Sequence, residues 1–224
     1  MNAYDLYLLS CDNIDRSNLN RFIQYLSTER QVKARNFRQE KDTIRTVLGE
    51  MLLRYALSQK TPRYMSEIPL RFTYNPYGKP LLLNQPDISF NISHSGDWIA
   101  CAVSDSEIGI DIEEINLDID LSIANHYFHK KEVELINSAP ASESYHNFFR
   151  FWTAKESYLK CIGKGLGEPL NNFYVSDNNL ILEDKITSYH IYFHSILKNY
   201  ALSVCSPNSY KVPALLAYVS IEDL

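Results

Sequence analysis

The chain has 224 residues, 45% hydrophobic and 22% charged, proportions that fit one large or two small globular domains and exclude a disordered chain. A formal net charge of −5 argues against a nucleic-acid partner, whose electrostatic footprint would be basic. Four cysteines without C-x-x-C spacing, no signal pattern and no run of roughly 20 apolar residues predict a reduced, cytoplasmic protein with no zinc knuckle, disulfide framework or membrane partner.

Tyr4 to Leu9 reads as a first strand, and Leu19, Phe22, Ile23 and Leu26 give helical spacing over 18–26. Residues 30–59 form a long helical region broken near 37–42, with Ile44, Val47, Leu48, Met51, Leu52 and Tyr55 on one face. Pro62 and Pro69 mark a loop, 71–74 a short strand, and Asn75-Pro76-Tyr77-Gly78-Lys79-Pro80 a turn. Strands are expected at 87–93, 98–104 and 108–113, and helices at 121–137 and 145–162, the latter stopped by Gly163. The tail carries strands at 189–193, 200–205 and 215–219. Helices mixed with antiparallel strands in each half indicate an α+β protein, not a doubly wound sheet, with a boundary near 104–107.

Two short segments hold most of the chemical information. In Gly109-Ile110-Asp111-Ile112-Glu113-Glu114, the period of two puts Ile110 and Ile112 on a buried face and Asp111 and Glu113 together on the other. In Trp152-Thr153-Ala154-Lys155-Glu156-Ser157-Tyr158-Leu159-Lys160, Glu156 and Lys160 share one helix face, and Trp152, Leu159 and Ile162 form its core stripe. Three carboxylates and an ammonium suit a divalent cation holding a phosphate ester. Taken singly, each pattern is also an ordinary strand edge or surface pair. Asn91 to Gly96 ends a strand in a turn with hydroxyls and an imidazole, groups that either hold phosphate oxygens or satisfy the turn itself. Arg30, Lys33, Arg35 and Arg38 are a basic cluster in an acidic chain. His126 and His129 lack a third zinc ligand and read as surface residues.

Together these segments resemble the Sfp-type 4′-phosphopantetheinyl transferases. The resemblance rests on Ile-Asp-Ile-Glu at 110–113, Trp-Thr-Ala-Lys-Glu-Ser-Tyr-Leu-Lys at 152–160, Tyr-Gly-Lys-Pro at 77–80, Asn-Ile-Ser-His-Ser at 91–95 and Arg-Thr-Val-Leu-Gly at 45–49, in register over nearly the whole chain. It implies a pseudo-dimer of two similar α+β halves, 1–104 and 105–224, with the active site in the cleft between them, acting as a monomer. It implies magnesium (or manganese) held by Asp111, Glu113 and Glu156, with Asp111, Glu156 and Lys160 as the catalytic set. Coenzyme A is the implied co-substrate, with Lys160 on the pyrophosphate and Ser93 and His94 on phosphate. Arg30, Lys33 and Thr46 meet the ribose 3′-phosphate, and Gly78, Lys79 and Pro80 the adenine edge. Arginine at position 30 departs from the lysine expected in the family while keeping the charge.

The implied reaction moves phosphopantetheine from coenzyme A to a serine of an apo acyl or peptidyl carrier protein in nonribosomal peptide or polyketide biosynthesis. The carrier is expected against residues 114–128, where Ile115, Leu117, Ile119, Leu121, Ile123 and Tyr127 are apolar and where core packing is the simpler reading of Leu121 and Ile123. Two competing readings remain: a catalytically silent coenzyme A-binding module of the same fold, and a metal-dependent phosphodiesterase. The complete carboxylate set weighs against the first, and the basic cluster against the second.

Overall fold

The computed structural model describes residues 4–209 and 213–224. In chain order its strands and α-helices are β1 (Asp5–Ser10), α1 (Asn20–Ile23), α2 (Thr28–Asn36), α3 (Glu40–Ser58), β2 (Phe72–Tyr74), β3 (Pro80–Leu82), β4 (Ser89–Ser95), β5 (Trp98–Ser104), β6 (Gly109–Glu114), α4 (Ala124–Tyr127), α5 (Lys130–Ser138), α6 (Ala141–Ile162), β7 (Phe173–Ser176), β8 (Asn179–Leu182), β9 (Lys185–His194), β10 (Tyr200–Ser206) and β11 (Leu215–Val219). They form two compact α+β units. One takes the chain up to Tyr74, Pro80–Asp105 and the C-terminal segment ending at Leu224, and the other takes Asn75–Lys79 and the chain from Ser106 up to that segment.

In the first unit the sheet order is β11-β1-β5-β4. α3 supplies its core: of the expected stripe, Ile44, Val47, Leu48, Met51 and Leu52 are buried and Tyr55 partly so, and Leu53, Ala56 and Leu57 are buried as well. A helix this enclosed must bury polar groups as well. Glu50 accepts from the Ser27 amide at 2.6 Å and the Ser27 hydroxyl at 2.7 Å, while Arg54 donates to the Tyr64 and Ile68 carbonyls, both at 2.9 Å. Burial pushes the Glu50 carboxyl up, and the Ser27 bonds oppose that shift. The expected break lies between α2 and α3, where Phe37 and Gln39 are extended.

In the second unit a five-stranded sheet, β6-β10-β9-β8-β7, carries α6 on one face. Each unit is thus a long helix on a mainly antiparallel sheet. Residues 105–224 were expected to stay in one half, yet β11 pairs in parallel with β1, from Asp5 opposite Leu215 to Leu9 opposite Val219, and so belongs to the first unit. The helix expected at 18–26 is shorter, a 3-10 turn over Arg16–Leu19 capped by Asp15 and then the single turn of α1. The helix expected at 121–137 is interrupted at Phe128 and His129, both extended, and His129 caps α5. Asn91 to Ser95 lies inside β4, not in a turn. Three strands were not anticipated: β3, which starts where the expected turn ends, and β7 and β8. β7 and β8 join through Asp177 and Asn178 at φ +47° and +64°, residues that tolerate the left-handed turn a two-residue hairpin requires.

The position of α6 on β6 has one steric condition. A Cβ on Gly109 would lie 2.0 Å from the Ser157 carbonyl oxygen and 2.4 Å from the Cys161 nitrogen, both helix backbone. Only glycine lets helix and strand approach so closely. Gly109→Ala should therefore lower unfolding stability by at least about 3 kcal/mol, read from chemical denaturation, because rigid backbone must move to admit the methyl.

His194, at the end of β9, gives a pH signature. Burial lowers its pKa from 6.5 to about 4. The unfolded chain takes up this proton near pH 6.5 while the folded protein refuses it until about pH 4, so the contribution is whole above pH 6.5 and is lost as pH falls through that window. The loss is at most about 3 kcal/mol. Denaturation midpoints of the wild type and His194→Asn should converge between pH 7 and 4, and parallel curves would refute the assignment.

Candidate active site

The three expected catalytic side chains and the further expected metal ligand, Glu113, lie on two adjoining elements of the second unit. β6 contributes Asp111 and Glu113, alternate residues on the face that α6 covers, and α6 contributes Glu156 and Lys160. Lys160 Nζ donates to Asp111 Oδ1 at 2.5 Å. Asp111 is 2% exposed, so this ion pair is shielded from solvent on the carboxylate side and screened only around the half-buried lysine. Glu156 does not depend on its helix neighbour alone. Burial raises its pKa first and the Asp111 charge raises it further, with Lys160 opposing both. Asp111, Glu156 and Lys160 are therefore one electrostatic unit.

Lys155, for which the sequence suggested no role, fixes the helix. It sits in the apolar stripe, three residues after Trp152 and four before Leu159, and is fully buried. Its ammonium donates to the Leu170 and Phe173 carbonyls, both at 2.7 Å, and lies 2.8 Å from Glu132. Glu132 in turn accepts from the Val175 amide at 3.1 Å and the His129 amide at 3.2 Å. Burial pulls the Lys155 pKa down and pushes that of Glu132 up, and each charge opposes the other's shift. With Lys155 anchored to α5 and β7, the next residue, about 100° further round the helix, is held toward the carboxylates of β6. The Thr153 and Ser203 hydroxyls, 2.8 Å apart, pin the same helix to β10.

The 75–79 turn docks on the C-terminal end of α6. Asn75 donates to the Gly163 carbonyl at 2.7 Å and accepts from the Tyr77 and Lys79 amides, both at 2.9 Å. Gly78, at φ +88°, has open space where a side chain would stand. Lys79 directs its ammonium inward, to the Cys161 carbonyl at 2.8 Å and the Ile108 carbonyl at 3.1 Å. Its side chain is a clamp, and what this turn offers a ligand is backbone.

The remaining expected contacts belong to the first unit. Arg30 and Lys33 lie on α2, and Lys33 is 2.7 Å from Glu29, which also accepts from the Tyr74 hydroxyl. These two donors hold the Glu29 carboxyl below its ordinary range. The basic cluster thus contains an acid that pattern reading passed over. Thr46 is buried on α3, and Pro80 begins β3. On β4, Ser93 is buried and His94 exposed, as alternation on a strand demands.

The donor set fits a hard divalent cation. Asp111, Glu113 and Glu156 offer only carboxylate oxygens, and burial first and the Asp111 charge second raise the Glu156 pKa, both of which a cation would offset. Among the described residues, no three acidic, histidine or cysteine side chains converge into a ready-made cage. Magnesium does not need one, because it keeps waters and takes one or two carboxylates together with substrate phosphate.

Two family models divide the chain between them. Residues 107–205 match the 4′-phosphopantetheinyl transferase superfamily, and residues 13–106 match "4′-phosphopantetheinyl transferase, N-terminal". The 4′-phosphopantetheinyl transferase Sfp of Bacillus subtilis (strain 168) is 36% identical, over 91% of this chain and 92% of that protein. The 4′-phosphopantetheinyl transferase gsp of Aneurinibacillus migulanus is 34% identical, over 98% and 92%. The ffp transferase of Bacillus subtilis is 32% identical over the full length of both chains. The chain therefore belongs to the Sfp-type 4′-phosphopantetheinyl transferases, enzymes that use coenzyme A and act on carrier proteins.

Proposed function

We propose that Asp111, Glu113 and Glu156 hold a magnesium or manganese ion at which phosphopantetheine passes from coenzyme A to the serine of an apo peptidyl or acyl carrier protein. The observation that carries this reading is the buried Asp111–Lys160 pair with the Glu156 carboxyl coupled to it. The serine oxygen bonds to the β-phosphorus, the bond from that phosphorus to the bridging oxygen breaks, and adenosine 3′,5′-bisphosphate departs. Bound there, the ion would neutralise charge on the pyrophosphate. The serine proton goes to Glu156, directly or through a water. Lys160 supplies a positive charge that can follow the charge developing on the leaving phosphate.

Arg30, Lys33 and Thr46 are assigned to the 3′-phosphate of coenzyme A. Lys33 then exchanges the Glu29 carboxylate for phosphate, and Arg30 offers a fork suited to phosphate oxygens. Ser93 and His94 are assigned to phosphate, and the backbone of Gly78, Lys79 and Pro80 to the adenine edge. The carrier meets residues 114–128, where Leu117, Ile123 and Tyr127 are exposed at 63%, 38% and 52%, so Ile123 is a surface residue and not the core residue its pattern suggested. Leu121, Ile115 and Ile119 pack partly against the core beneath. No helix is long and apolar enough to cross a membrane among the described residues. The enzyme works in the cytoplasm as a monomer, without nucleic acid, and its carriers are those of nonribosomal peptide or polyketide assembly, a reading supported by the likeness to Sfp and gsp.

Intact mass spectrometry of an apo peptidyl carrier domain incubated with the protein, coenzyme A and magnesium should show the gain of one phosphopantetheinyl group, lost with EDTA. Asp111→Ala and Glu156→Ala should abolish the gain with their circular dichroism unchanged. Lys33→Ala should mainly raise the KM for coenzyme A, by about tenfold, the scale of one charge-assisted phosphate contact. Near-full turnover by Asp111→Ala would overturn the metal assignment.

A further inference from the structure

None of these roles uses a cavity of about 170 Å3 in the second unit, framed by His146, Arg150 and Thr153 of α6, Phe193 and His194 of β9, and Ile115 just past β6. It far exceeds the ~10–15 Å3 that one water needs. Its wall continues through Ser195 and residues 200–202 and contains no carboxylate. In a chain of net charge −5, a pocket lined by an arginine and no acid stands out.

Arg150 determines what this pocket can hold. Its guanidinium lies 4.0 Å over the Phe193 ring and makes no ion pair among the described residues. The side chain is exposed, yet partial desolvation lowers its pKa and no acid nearby opposes the shift. Stacking fixes the guanidinium plane and leaves an N–H edge free for a planar, two-oxygen partner. His146, four residues earlier, lies one turn away on the same side of the helix. The Thr153–Ser203 hydroxyl contact makes the floor rigid.

The pocket also has a defined relation to the carboxylates. Ser203 is the register partner of Asp111, and Ala201 is the partner of Glu113. Ile115 continues that pairing, its amide donating to the Asn199 carbonyl at 2.8 Å. Asp111, Glu113 and Ile115 therefore follow one another at the two-residue period, on the sheet face beneath α6. The cavity lies one step beyond the reacting groups on that face.

We propose that this pocket binds one carboxylate group, gripped through two oxygens by Arg150 with His146 as a second donor. The group belongs to an acidic side chain of the protein whose serine is modified, or to a free small carboxylate. The first source rests on the transferase reading and the second does not.

Two arms of one experiment separate these sources. Propionate, which mimics the glutamate side chain, is titrated into the wild type and Arg150→Gln while the backbone amides of Ala201 and Leu202 are followed by NMR, with sodium chloride as the ionic-strength control. In parallel, the KM for an apo peptidyl carrier domain is measured for the wild type, Arg150→Gln and Arg150→Lys. A saturable propionate shift lost in Arg150→Gln, with carrier KM unchanged, assigns the pocket to a free carboxylate. A carrier KM raised about tenfold in Arg150→Gln, partly restored in Arg150→Lys and with kcat at saturating carrier preserved, assigns it to the carrier side chain. No saturable shift together with an unchanged KM overturns the proposal. Propionate binding by a wild type that transfers nothing would count against the transferase reading and leave the pocket standing.

Discussion

The arrangement of the reacting groups depends on the closeness of α6 to β6 at Gly109. A hydrogen fits between strand and helix there and a methyl does not. The helix atoms in contact belong to Ser157 and Cys161, the residues that immediately follow Glu156 and Lys160. The contact that sets the helix–strand distance is therefore also the one that sets where the Glu156 carboxylate and Lys160 ammonium fall relative to Asp111. A wider separation would keep every residue of both motifs and still lose the 2.5 Å contact between Lys160 and Asp111.

Position along the helix axis has a second determinant. The buried Lys155–Glu132 pair gives three acceptors to one ammonium and ties α6 to α5 and to the residues leading into β7. Such a pair adds little net stability against an apolar substitute of the same volume, yet removing one partner strands a charge in the core. Its effect is on geometry: it allows one register of α6 against its surroundings, and that register carries Glu156. The Asn75–Lys79 clamp on the end of the same helix acts in the same way, with two carbonyls meeting a half-buried ammonium. These two polar anchors hold the helix that carries Glu156 and Lys160.

Much of this could be read from the chain. Alternation at 110–113 placed the acids on one strand face, and the four-residue spacing placed Glu156 and Lys160 together. What alternation could not show is that the acid face is covered, so that Asp111 is buried and Lys160 pairs across to it. Lys155 was legible in principle, since a lysine interrupting the stripe Trp152, Leu159 and Ile162 must find acceptors inside the core. The Glu29–Lys33 pair was legible as a four-residue spacing on α2, and only the Tyr74 contact to Glu29 is made by the fold. β7 and β8 are short, and their strongest signal is the Asp177-Asn178 turn and not their apolar content. The parallel pairing of β11 with β1 joins opposite ends of the chain, which local pattern does not encode.

The central claim, that Asp111, Glu113 and Glu156 form a single cation site set by the α6–β6 contact, has one direct test. It is the crystal structure of the protein with coenzyme A and manganese, with the ion located by its anomalous scattering. The account predicts one peak within coordination distance, roughly 2.0–2.3 Å, of carboxylate oxygens from both β6 and α6 and of the pyrophosphate. A peak bound only by pyrophosphate and water, or at other side chains, would contradict it.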